Sequence, residues 1–398
     1  MNAGRIVLRL IVLLLAAGAA VCLVVGWRQS PVTLAKGLQC VEIADADGVT
    51  RIERALKASG QADEATVLHC AWLARRGHHD EALRQLPQRL ATGPLRRDVL
   101  KLVGESLFRV GDLQQAEVAL TTVAAEFPDE VEVHRLLAVM YYDLGSNDLA
   151  LSALAKVQRL APLDYRPHHL AGLIKSDTED FEGAIQQLRL ALKKQPPGQV
   201  GSDIRRELAR TLIHVRVREY QAAVEVLEAD VASAERSALL AECHWSLGNK
   251  ARANGLVEEV LALDPDHVPS LRVKVQLLED EGKTDEAIAV LRRILAAEPY
   301  DVERRYQFVQ LLGIRGLTEE RDREQQEYLR YRSLQDRLVA LNLKASAEPD
   351  AVAPRQELVE VCRALGRTQL AAMWQRAVTF CEQRRQQRES AAHNSAAR

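Results

Sequence analysis

Aromatic side chains are scarce in this sequence: Phe, Tyr and Trp together make up 4% of its 398 residues. Ala, Leu, Arg, Glu and Gln abound instead, and unbranched side chains lose little rotamer freedom in a helix, so the composition points to an all-α chain. Neither sign of charge dominates. With 53 basic and 55 acidic residues the net charge is -2, and a chain without a basic surplus gives no reason to expect a nucleic-acid partner. Six cysteines occur, Cys22, Cys40, Cys70, Cys243, Cys362 and Cys381. None forms a CxxC pair or lies beside histidines at metal-ligand spacing. Cys70, Cys243 and Cys362 fall on apolar helical faces and read as small core residues, while Cys40 and Cys70 could bridge in an exported chain. There is no GxSxG, no HExxH and no phosphate-cradling glycine loop. His78-His79-Asp80 reads as a turn between helices with Asp80 as cap. His168 and His169 are adjacent and face different ways, and acidic pairs such as Asp285-Glu286 suit the positive start of a helix. No catalytic residue, cofactor site or metal site is expected, and no enzyme.

One long apolar run is present. Leu10 to Gly26 carries no charge over 17 residues, a helical length of about 25 Å, at the short end of what crosses a bilayer. Ile6 to Leu8 extend it if Arg9 snorkels, and Trp27 suits the far interface. Residues 1–27 are therefore expected to be a single transmembrane anchor. The alternative is a secretory signal cleaved near "AAGAA", leaving the chain secreted. Val21 before Cys22 argues against a lipoprotein signal. Arg5, Arg9 and the terminal amine, against Arg28 and Lys36, lean toward a cytoplasmic N-terminus with the remainder on the non-cytoplasmic side.

What organises the rest is a repeat. Gly145, Ala150 and Pro162 follow Gly111, Ala116 and Pro128 by 34 residues, and these follow Gly77, Ala82 and Pro94 by another 34. One step forward, Glu179 replaces the glycine but Ala184 and Pro196 remain. Within the unit ending at Pro162, Val133, Leu136, Leu137, Met140, Tyr141 and Leu144 form one apolar helical stripe. Gly145 permits the left-handed turn that closes it. A second helix points Leu149, Ala150, Leu154, Val157 and Leu160 inward, with Ala150 at the closest crossing, and Pro162 stops it. One such hairpin leaves an apolar face that only stacked neighbours bury.

The pattern resembles the tetratricopeptide repeat (TPR) family. It is matched by Gly104, Leu107, Gly111, Ala116, Leu120, Val123 and Pro128, and again by Ala138, Tyr141, Gly145, Ala150, Leu154, Val157 and Pro162. Ala241, Gly248, Ala253, Val257, Val260 and Pro265 match it further on, followed by Val275, Leu278, Gly282, Ala287, Leu291, Ile294 and Pro299. The resemblance covers roughly residues 63–316. It implies a right-handed TPR superhelix (α-solenoid) of antiparallel helix hairpins, preceded by one transmembrane helix. The expected order after the anchor is a linker and capping helix over 28–62, TPR units 1–4 over 63–196 and a loop over 197–203. Units 5–7 and the start of a degenerate unit fill 204–316. Arg321 then stands where the small alanine belongs, and 317–345 reads as a long charged helix. Its seam of Leu334, Leu338 and Leu341 would pack on the array or against another chain. A degenerate hairpin follows over 352–381, and 382–398 reads as a disordered polar tail.

In the family the first helix of each hairpin lines a concave groove that takes up extended peptides or partner helices. The resemblance places Lys101, Phe108, Arg109, Arg135, Tyr142, His169, Arg205, Trp245 and Arg272 there, with aromatics and arginines the usual anchors. Lys101 stands at the lysine position of a known carboxylate clamp, but Glu105 occupies the asparagine position and would repel a carboxylate. The function implied is a non-enzymatic, membrane-tethered protein-interaction scaffold or assembly factor. The alternative is an exported accessory protein holding a polysaccharide or cell-envelope substrate for a separate enzyme.

Overall fold

The computed structural model describes residues 32–396 apart from Val215 and Pro349, so the apolar run over 1–27 and Cys22 lie outside the described residues. Those residues form α-helices, one 3₁₀ turn at Gln88–Thr92, and no strand. Among them no helix is long and apolar enough to cross a membrane. Two compact units result, Met1–Val123 and Ala124–Arg398.

In the first unit, α1 (Leu34–Glu42) and α2 (Ala46–Ala58) pack on each other and on α3 (Ala62–Arg75). Two helices thus stand where the sequence suggested one capping helix. The break comes from Asp45, whose Oδ1 accepts the Gly48 N–H at 2.9 Å and starts α2 afresh. Helix α4 (His79–Gln85) is cut short by Pro87, and the chain then enters α5 (Arg96–Val110) and α6 (Leu113–Glu126). Asp80 is not the cap of α4: His78 holds that position without a side-chain bond, and Asp80 lies in the first turn. Leu56, Ala65, Leu68 and Cys70 are buried in the unit's core. Cys40 and Cys70 are both free thiols, so the bridge considered from sequence does not form. Burial, aided by Glu53, pushes the Cys70 thiol up to about 11.

The second unit is a run of hairpins: α7/α8 (Val131–Asp143, Asn147–Leu160), α9/α10 (Arg166–Asp177, Phe181–Lys193), α11/α12 (Gly198–Ile213, Tyr220–Glu228) and α13/α14 (Ala234–Ser246, Lys250–Leu263). Then come α15/α16 (Val268–Asp280, Thr284–Ala297), α17/α18 (Val302–Ile314, Thr318–Ala347) and α19/α20 (Val352–Ala364, Thr368–Ala396). Each second helix packs on the first helix of the next hairpin, and the first helices α11, α13 and α15 also touch in succession. The recurring alanines of the second helices, Ala150, Ala184, Ala253 and Ala287, are fully buried.

Several expectations change. Leu149, expected inward, is 46% exposed, because the crossing is filled by Ala150, Ala153 and Leu154. The loop over 197–203 is mostly the first turns of α11, which starts at Gly198 directly after Pro197. The tail is helical to Ala396; Arg384 and Arg388 hold it to Asp350 at 3.2 and 2.7 Å. The long charged helix α18 packs on both α17 and α19, burying Leu338 and Leu341.

The last hairpin returns to the first one of this unit. Helix α20 reaches α7, where the Trp374 ring covers Gly145. The turn between α19 and α20 meets α17's threshold, Gly366 lying under the Tyr300 ring. Any Cβ at either glycine would collide with these rings, whereas at Gly248, Gly282 and Gly316 it would meet open space.

Candidate functional site

The nine residues expected to line a groove fall on first helices, in both units. On α5, Lys101 and Phe108 are half-buried and Arg109 is exposed, its guanidinium 5.9 Å from the Phe108 ring centre. The second unit holds the others, and most of them turn out to be tied to the next hairpin along. Arg135 pairs with Glu132 and with Asp164, the latter at 2.9 Å. Burial would raise the Asp164 carboxyl, but Arg166 and Arg135 outweigh it and hold the group below the usual carboxylate range. Tyr142 donates its hydroxyl to Asp177 at 2.9 Å, and burial together with that carboxylate raises the phenol far above its ordinary value. Trp245 donates Nε1–H to Asp280 at 2.7 Å, where Lys250 also binds at 2.9 Å. Arg272 bonds Glu298, and Asp301 at 2.9 Å. Arg205 lies 4.0 Å from the buried carboxylate of Asp230, in the loop after the shortened α12. His169 is half-buried, and burial lowers its imidazole below the ordinary value.

These pairs repeat with the array. Arg135–Asp164 and Arg272–Asp301 are each 29 residues apart; Tyr142–Asp177 and Trp245–Asp280 are each 35 apart. Arg135, Tyr142, Trp245 and Arg272, singled out as ligand anchors, therefore act first as struts between successive hairpins. A second strut lies six residues past the interhelical proline. Buried His134 and Arg305 bond the Pro128 and Pro299 carbonyls at 2.8 and 2.6 Å. Arg355, also buried, bonds the carbonyls of Ala345, Glu348 and Ala351.

A cavity of about 780 Å³ opens on the face made by the first helices α11, α13, α15 and α17, with the Leu365–Arg367 turn forming one wall. Sequence reasoning picked out only Arg272 among its residues. It missed Glu242, Gln276 and Arg304, which also line the cavity. Gln276 Oε1, Arg272 Nε and Arg304 Nε are buried without a hydrogen-bond partner. Burial lifts the Glu242 carboxyl above its ordinary value despite the nearby Arg304 and Arg272. One signal was available: Glu242 precedes its turn glycine, Gly248, by the same interval as Glu105 precedes Gly111, and Gln276 precedes Gly282 likewise. Among the described residues, no group of three or more His, Cys, Asp or Glu could hold a metal ion.

With the hairpins, their left-handed turns and their struts in view, comparison agrees with the sequence reading. Residues 102–165 and 238–302 match the tetratricopeptide repeat family. The chain carries tetratricopeptide repeats. No curated protein matches it. Among solved structures it is similar to a MamA fragment from Desulfovibrio magneticus RS-1, at 23% identity over 42% of this chain and 91% of that one, TM-score 0.37. It is also similar to pilF of Pseudomonas aeruginosa, at 15% identity over 55% and 98%, TM-score 0.43. A tetratricopeptide repeat protein from Parabacteroides merdae ATCC 43184 is similar at 15% identity over 59% and 93%, TM-score 0.42.

Proposed function

We propose that this is a non-enzymatic scaffold or assembly factor, tethered to a membrane through residues 1–27, whose repeats wind into a right-handed superhelix. It takes up a peptide or helix of a partner protein on the face formed by the first helices. The observation that carries the binding role is the 780 Å³ cavity on α11, α13, α15 and α17, with unsatisfied donors and acceptors in its wall. Such a concavity with a few convergent polar groups is the usual form of a recognition site. Tyr142 and Trp245 are bonded to neighbouring carboxylates, so the sugar-stacking alternative draws less support from them.

The test is site-specific photocrosslinking in intact cells. A crosslinker at Gln276 or Arg304 should yield one saturable protein adduct, and one on the outer residue Leu263 should not. Equal labelling from both positions would remove the cavity from the reading. The apolar run supports a single-pass anchor, and the basic residues before it favour the repeats on the non-cytoplasmic side. Protease added outside spheroplasts should then digest the repeats while the chain stays membrane-bound.

A further inference from the structure

The cavity wall is unusual in its acceptors. Glu242, midway along α13, makes no hydrogen bond or ion pair among the described residues. Its nearest cations are engaged elsewhere. Arg272 binds Glu298 and Asp301 through Nη2. Arg304 gives Nη1 to Gln307 at 2.8 Å and lies 3.5 Å from Glu303. One hairpin further on, at the same place in the repeat, Gln276 offers a buried carbonyl oxygen that no donor reaches. Helices α13 and α15 are in contact, so these two acceptors face the same space. The charge lining that space has the same sense. Glu235, Glu242, Glu298, Asp301 and Glu303 stand against Arg210, Arg272, Arg304 and Arg367, five carboxylates to four guanidinium groups.

We propose that Glu242, assisted by Gln276, receives a cationic side chain, Lys or Arg, of the peptide bound on this face. An ammonium or guanidinium group carries only donors, three or five of them, and so satisfies both acceptors at once. A charge-assisted bond in a partly desolvated site is about twice as strong as a neutral one. The orphaned Arg272 Nε–H and Arg304 Nε–H point to the complementary part of the ligand, backbone carbonyls beside the cationic residue. Burial raises the Glu242 carboxyl, and an arriving cation would lower it again. The proposal rests on the peptide-binding reading above and adds the chemistry that selects the peptide.

The experiment uses the full-length chain in detergent and fluorescent, N-acetylated, C-amidated decapeptide pools, the fifth position fixed as Arg, Lys, Ala or Glu. Anisotropy should show the Arg or Lys pool binding about tenfold tighter than the Ala and Glu pools, the size expected of one close charge pair. Glu242→Gln should bring Arg and Lys binding to within about twofold of the Ala pool and leave Ala-pool binding unchanged. Gln276→Leu should have a smaller effect of the same kind. A thermal melt of Glu242→Gln matching the parent shows that the fold is kept. If the Ala pool binds as well as the Arg and Lys pools, the acceptor role is overturned while the binding face stands. If Glu242→Gln weakens every pool alike, Glu242 is structural and the proposal fails. If no pool binds, the peptide-binding reading falls with it.

Discussion

At the turns inside the hairpins the backbone enters the left-handed region, where a side chain costs about 1–2 kcal/mol. Gly282 sits there with φ of 72° and nothing near the place a Cβ would occupy. Gly282→Ala should therefore lower stability by about 1 kcal/mol from conformation alone. Gly145, with φ of 69°, carries the Trp374 ring, so Gly145→Ala should cost more, by about 1–3 kcal/mol of overpacking. In a Trp374→Ala background that excess should vanish. Urea midpoints of the four variants decide it. Glu179 keeps the same left-handed turn, at φ of 62°, without being glycine, and its carboxylate reaches Arg216 at 2.5 Å. His169 gives a pH prediction. Burial lowers its folded pKa below the unfolded value near 6.5, so the folded state binds fewer protons in that window. Its contribution is complete above pH 6.5 and declines as pH falls through the lowered folded value. Replacing it by Gln should narrow the loss of melting temperature between pH 7.5 and 5.5. An identical pH profile for the two proteins would refute the assignment.

Between elements, the repeating struts are the stabilising theme. Arg272 and Asp301 are partly shielded at 2.9 Å, their side chains 39% and 13% exposed. A double-mutant cycle with Arg272→Ala and Asp301→Ala should give a coupling of about 0.5–1 kcal/mol. Trp245→Phe, which removes the bond to Asp280, should cost about 1 kcal/mol. Zero coupling in the first case would show that Asp301 adds nothing to the Arg272–Glu298 pair. The helices themselves were legible from sequence because their signals are local: a turn glycine, a crossing alanine and a stopping proline recur together in α5/α6, α7/α8, α13/α14 and α15/α16. The struts were not, because Arg135 and Trp245 find their partners 29 and 35 residues away, in another hairpin. A polar residue at a groove position looks the same in sequence whether it faces solvent or a neighbour. Glu242 was hidden for a related reason, since a glutamate midway along a helix reads as solvated surface. The tail failed differently: its polar composition gave no hint of the anchoring of Arg384 and Arg388 at Asp350.

Within the second unit taken as a whole, the return of α20 to α7 makes the hairpins interdependent. In a simple repeat array each unit contacts only its neighbours, so stability is a sum of local pieces and the ends loosen first. Here Trp374 joins the last hairpin to the first. Trp374→Ala should accordingly raise amide exchange in α7 near Gly145 as well as in α20, with little change in α13 and α15 between them. Exchange that rises in α20 alone would show that the contact carries no energy.

The same contact sets a schedule for biosynthesis. The ring that covers Gly145 belongs to residue 374, so α7 leaves the ribosome long before its cover exists. At about 5–20 residues per second, that apolar edge stays open for roughly 10–50 seconds of translation. A nascent chain stalled short of Trp374 thus presents to chaperones a surface that the finished protein conceals.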